Sequence, residues 1–181
     1  MNPDRRARYA LAAVWLIAAW VLAGAVFKLG WGTPALLPAG VRAVGERLGL
    51  ELGLTYKLAI GIELAIVAVA LTKPRWGWIL QAALLLVFDA VLTQQIAVGE
   101  TNCGCFGEKF SMDPRVMLGI DSALLVALLA ARPWSCLGPG LPYFVAPALA
   151  AVGVSVPWFH DRELSKGEVV QDGKPVENPW I

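Results

Sequence analysis

Long apolar runs separated by short polar connectors make up most of this chain. The runs fall at about residues 9–29, 54–72, 77–98, 116–131 and 141–159. Each is near the length of about 20 residues that an α-helix needs to cross the hydrocarbon core of a bilayer. The fourth run is short and carries Asp121, and the fifth contains Pro142, Pro147 and Pro157, which leave helical hydrogen bonds unmade. The pattern predicts an all-α membrane protein with five spans.

The composition supports a membrane location. Hydrophobic residues make up 57% of the 181 residues, a larger share than a soluble domain can bury. Charged residues make up only 16%. The net charge of +1 does not indicate a nucleic-acid partner. No internal repeat is visible, and the polar tail at 160–181 is too short for a second domain. The chain is therefore expected to hold one helical membrane domain.

The distribution of positive charge predicts the orientation of the spans. Basic residues lie in short connectors at one end of the runs: Arg5, Arg6, Arg8, Lys73, Arg75 and Arg132. The positive-inside rule puts these ends, including residues 1–8, in the cytoplasm, although other basic residues fall in the longer connectors outside. The loop at 99–115 and the tail then face the periplasm or cell exterior, across the inner (plasma) membrane. The first run exceeds the length of a signal-peptide core, so we expect it to remain as an anchor.

Two of the three cysteines lie one residue apart in the pentapeptide Cys103-Gly104-Cys105-Phe106-Gly107. A disulfide between them requires the chain to bend, which Gly104 allows because it lacks a Cβ, and Gly107 adds a second flexible point. The small ring should be strained and therefore readily reduced. Three interpretations stay open: thiol–disulfide exchange, a fixed disulfide that shapes the loop, and a copper or zinc site whose further ligands are not evident.

The third cysteine and the single histidine indicate less. Cys136 follows Arg132 in a connector that the predicted topology puts in the cytoplasm, away from the other cysteines, and we expect an inert thiol. His160 lies just beyond the fifth run, where a solvated interfacial residue is expected and a ligand role is the alternative. No metal centre is predicted from these residues.

Four ionisable side chains lie inside the apolar runs, where an unpaired charge is costly. They are Lys28, Glu63, Asp89 and Asp121. Counted at about 1.5 Å per residue along each helix, all four fall in the outer half of the bilayer, beneath the cysteine loop. Lys28 is expected to pair with a carboxylate. The cluster would either carry protons for thiol exchange or lock the helices in register, and small residues such as Gly61 and Gly119 would permit close helix approach.

The connector from Gly30 to Gly53 contains a stretch, Val41 to Leu48, whose apolar positions suit a short interfacial helix. Such a helix could cover the cysteine loop. A plain surface loop is the alternative.

In their order along the chain, these features resemble the methylamine-utilisation membrane proteins (MauE) within the broader DoxX-like group of redox-associated membrane proteins. The resemblance rests on a lysine that closes the first span (Lys28), a glutamate in the second (Glu63) and the CGCFG loop ahead of the last core span. It covers about residues 9–132 and implies a four-helix transmembrane bundle that handles electrons or disulfides for periplasmic proteins. It also implies that Cys103 and Cys105 are redox cysteines. The connector and fifth transmembrane helix at 133–159 and the tail lie outside it.

The resulting hypothesis is an integral membrane thiol–disulfide redox protein, with thiol–disulfide oxidoreductase as the candidate enzyme class. The CxC pair would exchange electrons or disulfides with an extracytoplasmic thioredoxin-like partner during maturation of secreted or periplasmic proteins. The family name implies the methylamine metabolic process. The alternatives are a non-catalytic assembly factor with a structural loop disulfide, and copper or zinc handling. No cofactor is predicted, because no nucleotide, haem or flavin motif is visible. A quinone is possible but unsupported by the sequence, since a quinone site leaves no reliable mark, and the electron acceptor is therefore not named.

Overall fold

The computed structural model describes residues 3–103, 112–131 and 133, and a few isolated positions in the C-terminal part of the chain, at 151, 155, 170–171 and 174–175. These residues form five α-helices, which confirms the predicted all-α class. The helices are α1 (Pro3–Trp31), α2 (Ala39–Arg47), α3 (Leu52–Thr72), α4 (Pro74–Val98) and α5 (Pro114–Ala130). A 3-10 turn at Pro34–Leu36 precedes α2, and Val170–Gln171 pairs antiparallel with Lys174–Pro175 in the tail.

Several predicted features lie outside the described residues. They are the fifth span at 141–159 apart from two positions, most of the tail at 160–181, and Gly104, Cys105, Phe106, Gly107, Cys136 and His160. Of the cysteine pair, the structure therefore describes Cys103.

Three helices of the described part are long and apolar enough to cross a membrane. They are Asp4–Trp31, Leu52–Thr72 and Pro74–Val98. These three helices confirm a multi-pass membrane protein. Helix α5 has 17 residues, which is the short end of the range for a span.

The long helices pack as sequential neighbours. Helix α1 contacts α3, α3 contacts α4, and α4 contacts α5, while α1 also contacts α4 and α5. Their shared core includes Ile17, Leu85 and Leu128, which are at most 1% exposed. Large apolar side chains such as Leu16 and Leu86 cover the outer surface of the bundle. Such a surface suits lipid, because acyl chains are as apolar as leucine.

A close contact between helices lies beside the turn between α3 and α4. A Cβ on Gly77 would overlap the Cα of Ala70, so only glycine permits this approach. By contrast, a Cβ on Gly61 or Gly119 would meet nothing within 4 Å. The expectation that Gly61 and Gly119 allow close helix approach is therefore wrong, and Gly77 has that role.

The connector between α1 and α3 folds against the bundle at the opposite end. Helix α2 confirms the short helix predicted around Val41 to Leu48, and it contacts both α3 and α4. Its buried Gly45 lies against the side chain of Thr55, with no room for a Cβ. Gly49 has a φ of 69°, a left-handed conformation that glycine adopts without strain and that ends the connector before α3. This end of the bundle is also the one that carries Cys103.

Candidate functional site

The loop that carries Cys103 begins from a well-defined helix end. Helix α4 stops at Gly99, whose φ of 79° is left-handed. Within the last turn, the Gln95 side chain is buried and its Nε2 donates to Glu100 Oε2 at 2.8 Å and to the Cys103 carbonyl at 3.5 Å. Gln95 therefore holds the start of the loop against the end of α4.

Cys103 itself turns into the bundle. It is 0% exposed and packs in one apolar cluster with Leu92 of α4 and Met117 of α5. Its backbone N–H donates to the Met112 carbonyl at 3.0 Å, which closes the intervening segment 104–111 at its base. The first cysteine of the pair is thus part of the packed interior of the helix bundle.

An intramembrane ion pair joins α1 to α3. Lys28 Nζ binds Glu63 Oε1, and Glu63 is only 4% exposed. The same ammonium lies 5.4 Å from the centroid of the Phe88 ring, a distance at which a cation and an aromatic face attract. The Tyr56 hydroxyl donates to the Lys28 carbonyl at 2.7 Å and fixes the last turns of α1. The expected pairing of Lys28 with a carboxylate is confirmed, and Glu63 is the partner.

The two aspartates occupy separate hydrogen-bonded positions. Asp121 is 1% exposed and its Oδ1 accepts a hydrogen bond from Trp20 Nε1 at 3.1 Å. Asp89 Oδ2 accepts from the Ser122 hydroxyl at 3.0 Å, across the contact between α4 and α5. The other carboxylate oxygen of Asp89 is buried with no hydrogen-bond partner among the described residues.

A cavity of about 230 Å³ brings most of these groups together. One water needs only about 10–15 Å³ by the same kind of measure, so the cavity has room for a larger molecule. Its wall is predominantly apolar, and its polar members are Lys28, Tyr56, Glu63, Gln95, Cys103 and Asp121, with the indole of Trp20. Asp89 is not part of this wall. The structure therefore brings three of the four intramembrane charges and one cysteine of the pair to one cavity.

Trp20 and Gln95 are site residues that the sequence interpretation missed. Gln95 had a signal, since an amide within an apolar run must find a hydrogen-bond partner. Trp20 had none, because tryptophan is common in membrane helices and its partner Asp121 is 101 positions away.

The described part of the chain contains no group of three or more histidine, cysteine or acidic residues arranged to hold a metal ion. Two further candidate ligands of the copper or zinc hypothesis, Cys105 and His160, lie outside that part.

A comparison with protein families identifies a match over most of the chain. The family described as Methylamine utilisation protein MauE matches residues 6–135, which include all of the cavity residues. No curated protein matches the chain. No solved structure matches it either.

Proposed function

The chain belongs to the MauE family of methylamine utilisation proteins, and from this premise we propose that it is a membrane thiol–disulfide redox protein. Family membership and the apolar helices make it a multi-pass membrane protein involved in methylamine utilisation. The finer proposal is that Cys103 and Cys105 alternate between dithiol and disulfide against an extracytoplasmic thioredoxin-like partner, during maturation of secreted or periplasmic proteins.

One observation carries this proposal: Cys103 lines the same cavity as the Lys28–Glu63 pair and Asp121. Closing a disulfide releases two protons and opening one takes up two. Buried carboxylates inside a membrane protein are costly and commonly mark proton pathways. Carboxylates in the same cavity wall as a cysteine could thus supply the proton acceptors and donors that thiol exchange requires.

The burial of Cys103 supports different roles for the two cysteines. Because Cys103 is 0% exposed, the sulfur of a partner protein cannot reach it in this conformation. Cys105 is then the cysteine that joins the partner. In the oxidising direction a partner thiolate attacks Cys105, the bond between Cys105 and Cys103 breaks, and Cys103 leaves as a thiolate that takes up a proton. A second partner thiolate then displaces Cys105, which leaves the partner oxidised and the pair reduced by two electrons.

The arrangement of charge supports an orientation with this loop outside the cytoplasm. Arg5 and Arg6 lie at the start of α1, and Lys73 and Arg75 lie at the turn between α3 and α4. An odd number of spans separates both positions from Cys103, so they lie at the opposite end of the bundle. The positive-inside rule then gives an inner-membrane protein with a cytoplasmic N-terminus and an external cysteine loop.

Thiol trapping in native membranes tests the proposal. In a Cys136→Ala background, the Cys103→Ala variant retains Cys105 and should accumulate a mixed disulfide with its partner, seen as a larger species that a reductant removes. The Cys105→Ala variant retains the buried Cys103 and should trap at least about tenfold less. The protein with both cysteines replaced is the control. If neither single variant traps any partner, the exchange mechanism is wrong.

A structural loop disulfide in a non-catalytic assembly factor is the second candidate. The close packing of Cys103 with Leu92 and Met117 supports it, because a staple at the base of a loop would lie in such a place. This function requires the same redox state of the pair under all physiological conditions. It also predicts that replacing both cysteines lowers stability without abolishing a partner's oxidation.

A further inference from the structure

The cavity reaches the lipid-facing surface of the bundle between α3 and α4. Ile62 of α3 and Val87 of α4 both line it, and both are 57% exposed on the outside of the helices. Cys103 forms another part of the same wall. A molecule dissolved in the bilayer could therefore enter between these two helices and reach the cavity, whose wall includes Cys103, without passing through water.

The cavity combines aromatic walls with polar groups, among them a hydrogen-bond donor and an acceptor that a ligand could use. Trp20, Tyr56 and Phe88 supply flat apolar surface, and the ammonium of Lys28 lies beside the Phe88 ring as a hydrogen-bond donor. The acceptor is Gln95. Both partners of its Nε2 are oxygens, so the nitrogen must face them and its Oε1 points elsewhere. That oxygen is buried and has no hydrogen-bond partner among the described residues, in a side chain that is 3% exposed.

A buried acceptor without a donor is costly, and it points to a ligand that carries one. The ligand must also be flat and apolar, because of the aromatic walls, and soluble in lipid, because of the opening between α3 and α4. It needs an oxygen that accepts from Lys28 as well as one that donates to Gln95. A quinol meets both requirements through its two hydroxyls, whereas its quinone offers ring carbonyls to Lys28 and leaves the Gln95 acceptor without a donor.

We propose that this cavity binds the ring of a membrane quinone, which oxidises the Cys103–Cys105 dithiol. The inference rests on the proposed function and names its electron acceptor. The two thiols lose two protons and two electrons as the S–S bond forms, and the quinone takes up both to become a quinol. Glu63 and Asp121 are positioned in the cavity wall to pass the protons from the sulfurs to the ring oxygens. Lys28 holds a carbonyl of the quinone, and Gln95 accepts from a hydroxyl of the quinol.

Equilibrium binding of decylubiquinone to the full-length protein in nanodiscs tests the site separately from the thiol chemistry. The Cys103→Ser/Cys105→Ser protein cannot carry out thiol chemistry, so any quinone binding that it retains reports the cavity alone. Val87→Trp, which fills the lipid-side opening, should weaken binding at least about tenfold. Leu86→Trp is the matched control, because Leu86 is also 57% exposed on α4 but does not line the cavity.

A second pair of measurements identifies the ring and its polar contacts. Gln95→Leu should weaken quinol binding more than quinone binding, because only the quinol donates a hydrogen bond to Oε1. Decanol carries a chain without a ring and should compete at least about a hundredfold less well than decylubiquinone. Equal competition by decanol, or equal binding by the Val87→Trp and Leu86→Trp variants, overturns the inference.

The outcomes also separate this inference from the proposed function. If the variant that retains Cys105 traps a partner but decylubiquinone does not bind, exchange stands and the quinone site is wrong. If decylubiquinone binds but no partner is trapped, the site stands and the exchange proposal is wrong. If the exchange proposal and the quinone site are both correct, adding decylubiquinone to the reduced wild-type protein forms one quinol for each disulfide.

Discussion

The two ends of this helix bundle are built in different ways. Towards the α3–α4 turn, helices pack closely through apolar side chains, with Gly77 in contact with Ala70 and a shared core around Leu85 and Leu128. Towards the cysteine loop, the same helices line a cavity whose wall includes an ion pair and the buried carboxylate of Asp121. We call the end around Gly77, Leu85 and Leu128 the packed end, and the end around the cavity the hollow end.

The difference shows how a membrane bundle can combine stability with a reactive site. Lipid provides no hydrophobic driving force between helices, so close packing and interhelical polar contacts must hold them together. The packed end is held together by close packing. The hollow end depends on interhelical polar contacts, which join Lys28 to Glu63 and Trp20 to Asp121. We expect substitutions at the two ends to differ in the size of their effects.

The largest effect is expected at the ion pair of the hollow end. Lys28→Met leaves Glu63 buried without its cation, and breaking a buried pair in this way costs about 3–5 kcal/mol. The measurement is the free energy of unfolding in mixed micelles. Lys28→Met/Glu63→Met removes both charges and should recover most of that loss. If the single and double variants are equally unstable, the pair does not hold this end together.

Leucines one heptad apart on α4 compare the two ends directly. Leu85 is 0% exposed within the packed core, and Leu92 is 2% exposed beside the cavity. A buried leucine-to-alanine change costs about 2–5 kcal/mol, depending on how many contacts are lost. Leu85→Ala should fall at the upper end of that range and Leu92→Ala at the lower, because Leu92 already borders empty space. The lipid-facing Leu86→Ala is the control, and equal losses at Leu85 and Leu92 would contradict the contrast.

A smaller effect is expected from glycines on α3 and α4. Gly77→Ala inserts a Cβ against the Ala70 backbone, and such overpacking costs about 1–3 kcal/mol. Gly61→Ala has open space around it and should be neutral or gain up to about 1 kcal/mol of helix propensity. Thermal unfolding of both variants in the same detergent checks the prediction. If the two variants change stability by the same amount in the same direction, the Gly77–Ala70 contact does not restrict the packing at this end.

Hydropathy predicts the helices well and the packing poorly. The run predicted at 54–72 becomes Leu52–Thr72, and the run at 77–98 becomes Pro74–Val98. The bounds are readable because a bilayer requires long apolar helices of about fixed length. The inward faces of the helices cannot be predicted in this way. Large apolar residues such as Ile62 and Leu86 also face lipid, so apolar residues do not recur on one face only. That is why Gly61 looked like a contact residue and Gly77 did not.

The candidate site shows the same division. The cost of a buried charge made Lys28 and Glu63 recognisable, and it predicted that Lys28 has an acidic partner. Sequence could not choose among three carboxylates, because the choice depends on how the helices rotate against one another. It also gave no sign that Cys103 turns inward, since its loop is polar on both sides. Burial of that sulfur depends on Gln95 and Met112, which hold the base of the loop.

A redox titration of the wild-type protein in nanodiscs measures whether Cys103 and Cys105 cycle between dithiol and disulfide, as we claim. The protein is equilibrated in dithiol buffers of defined potential, alkylated, and scored by mass for the number of modified thiols in the 103–105 peptide. Both thiols should be protected together in one two-electron transition, at a potential between about −270 and −120 mV, the range of exchange-active disulfides. A pair that stays oxidised below about −300 mV would be a structural staple and would contradict the claim.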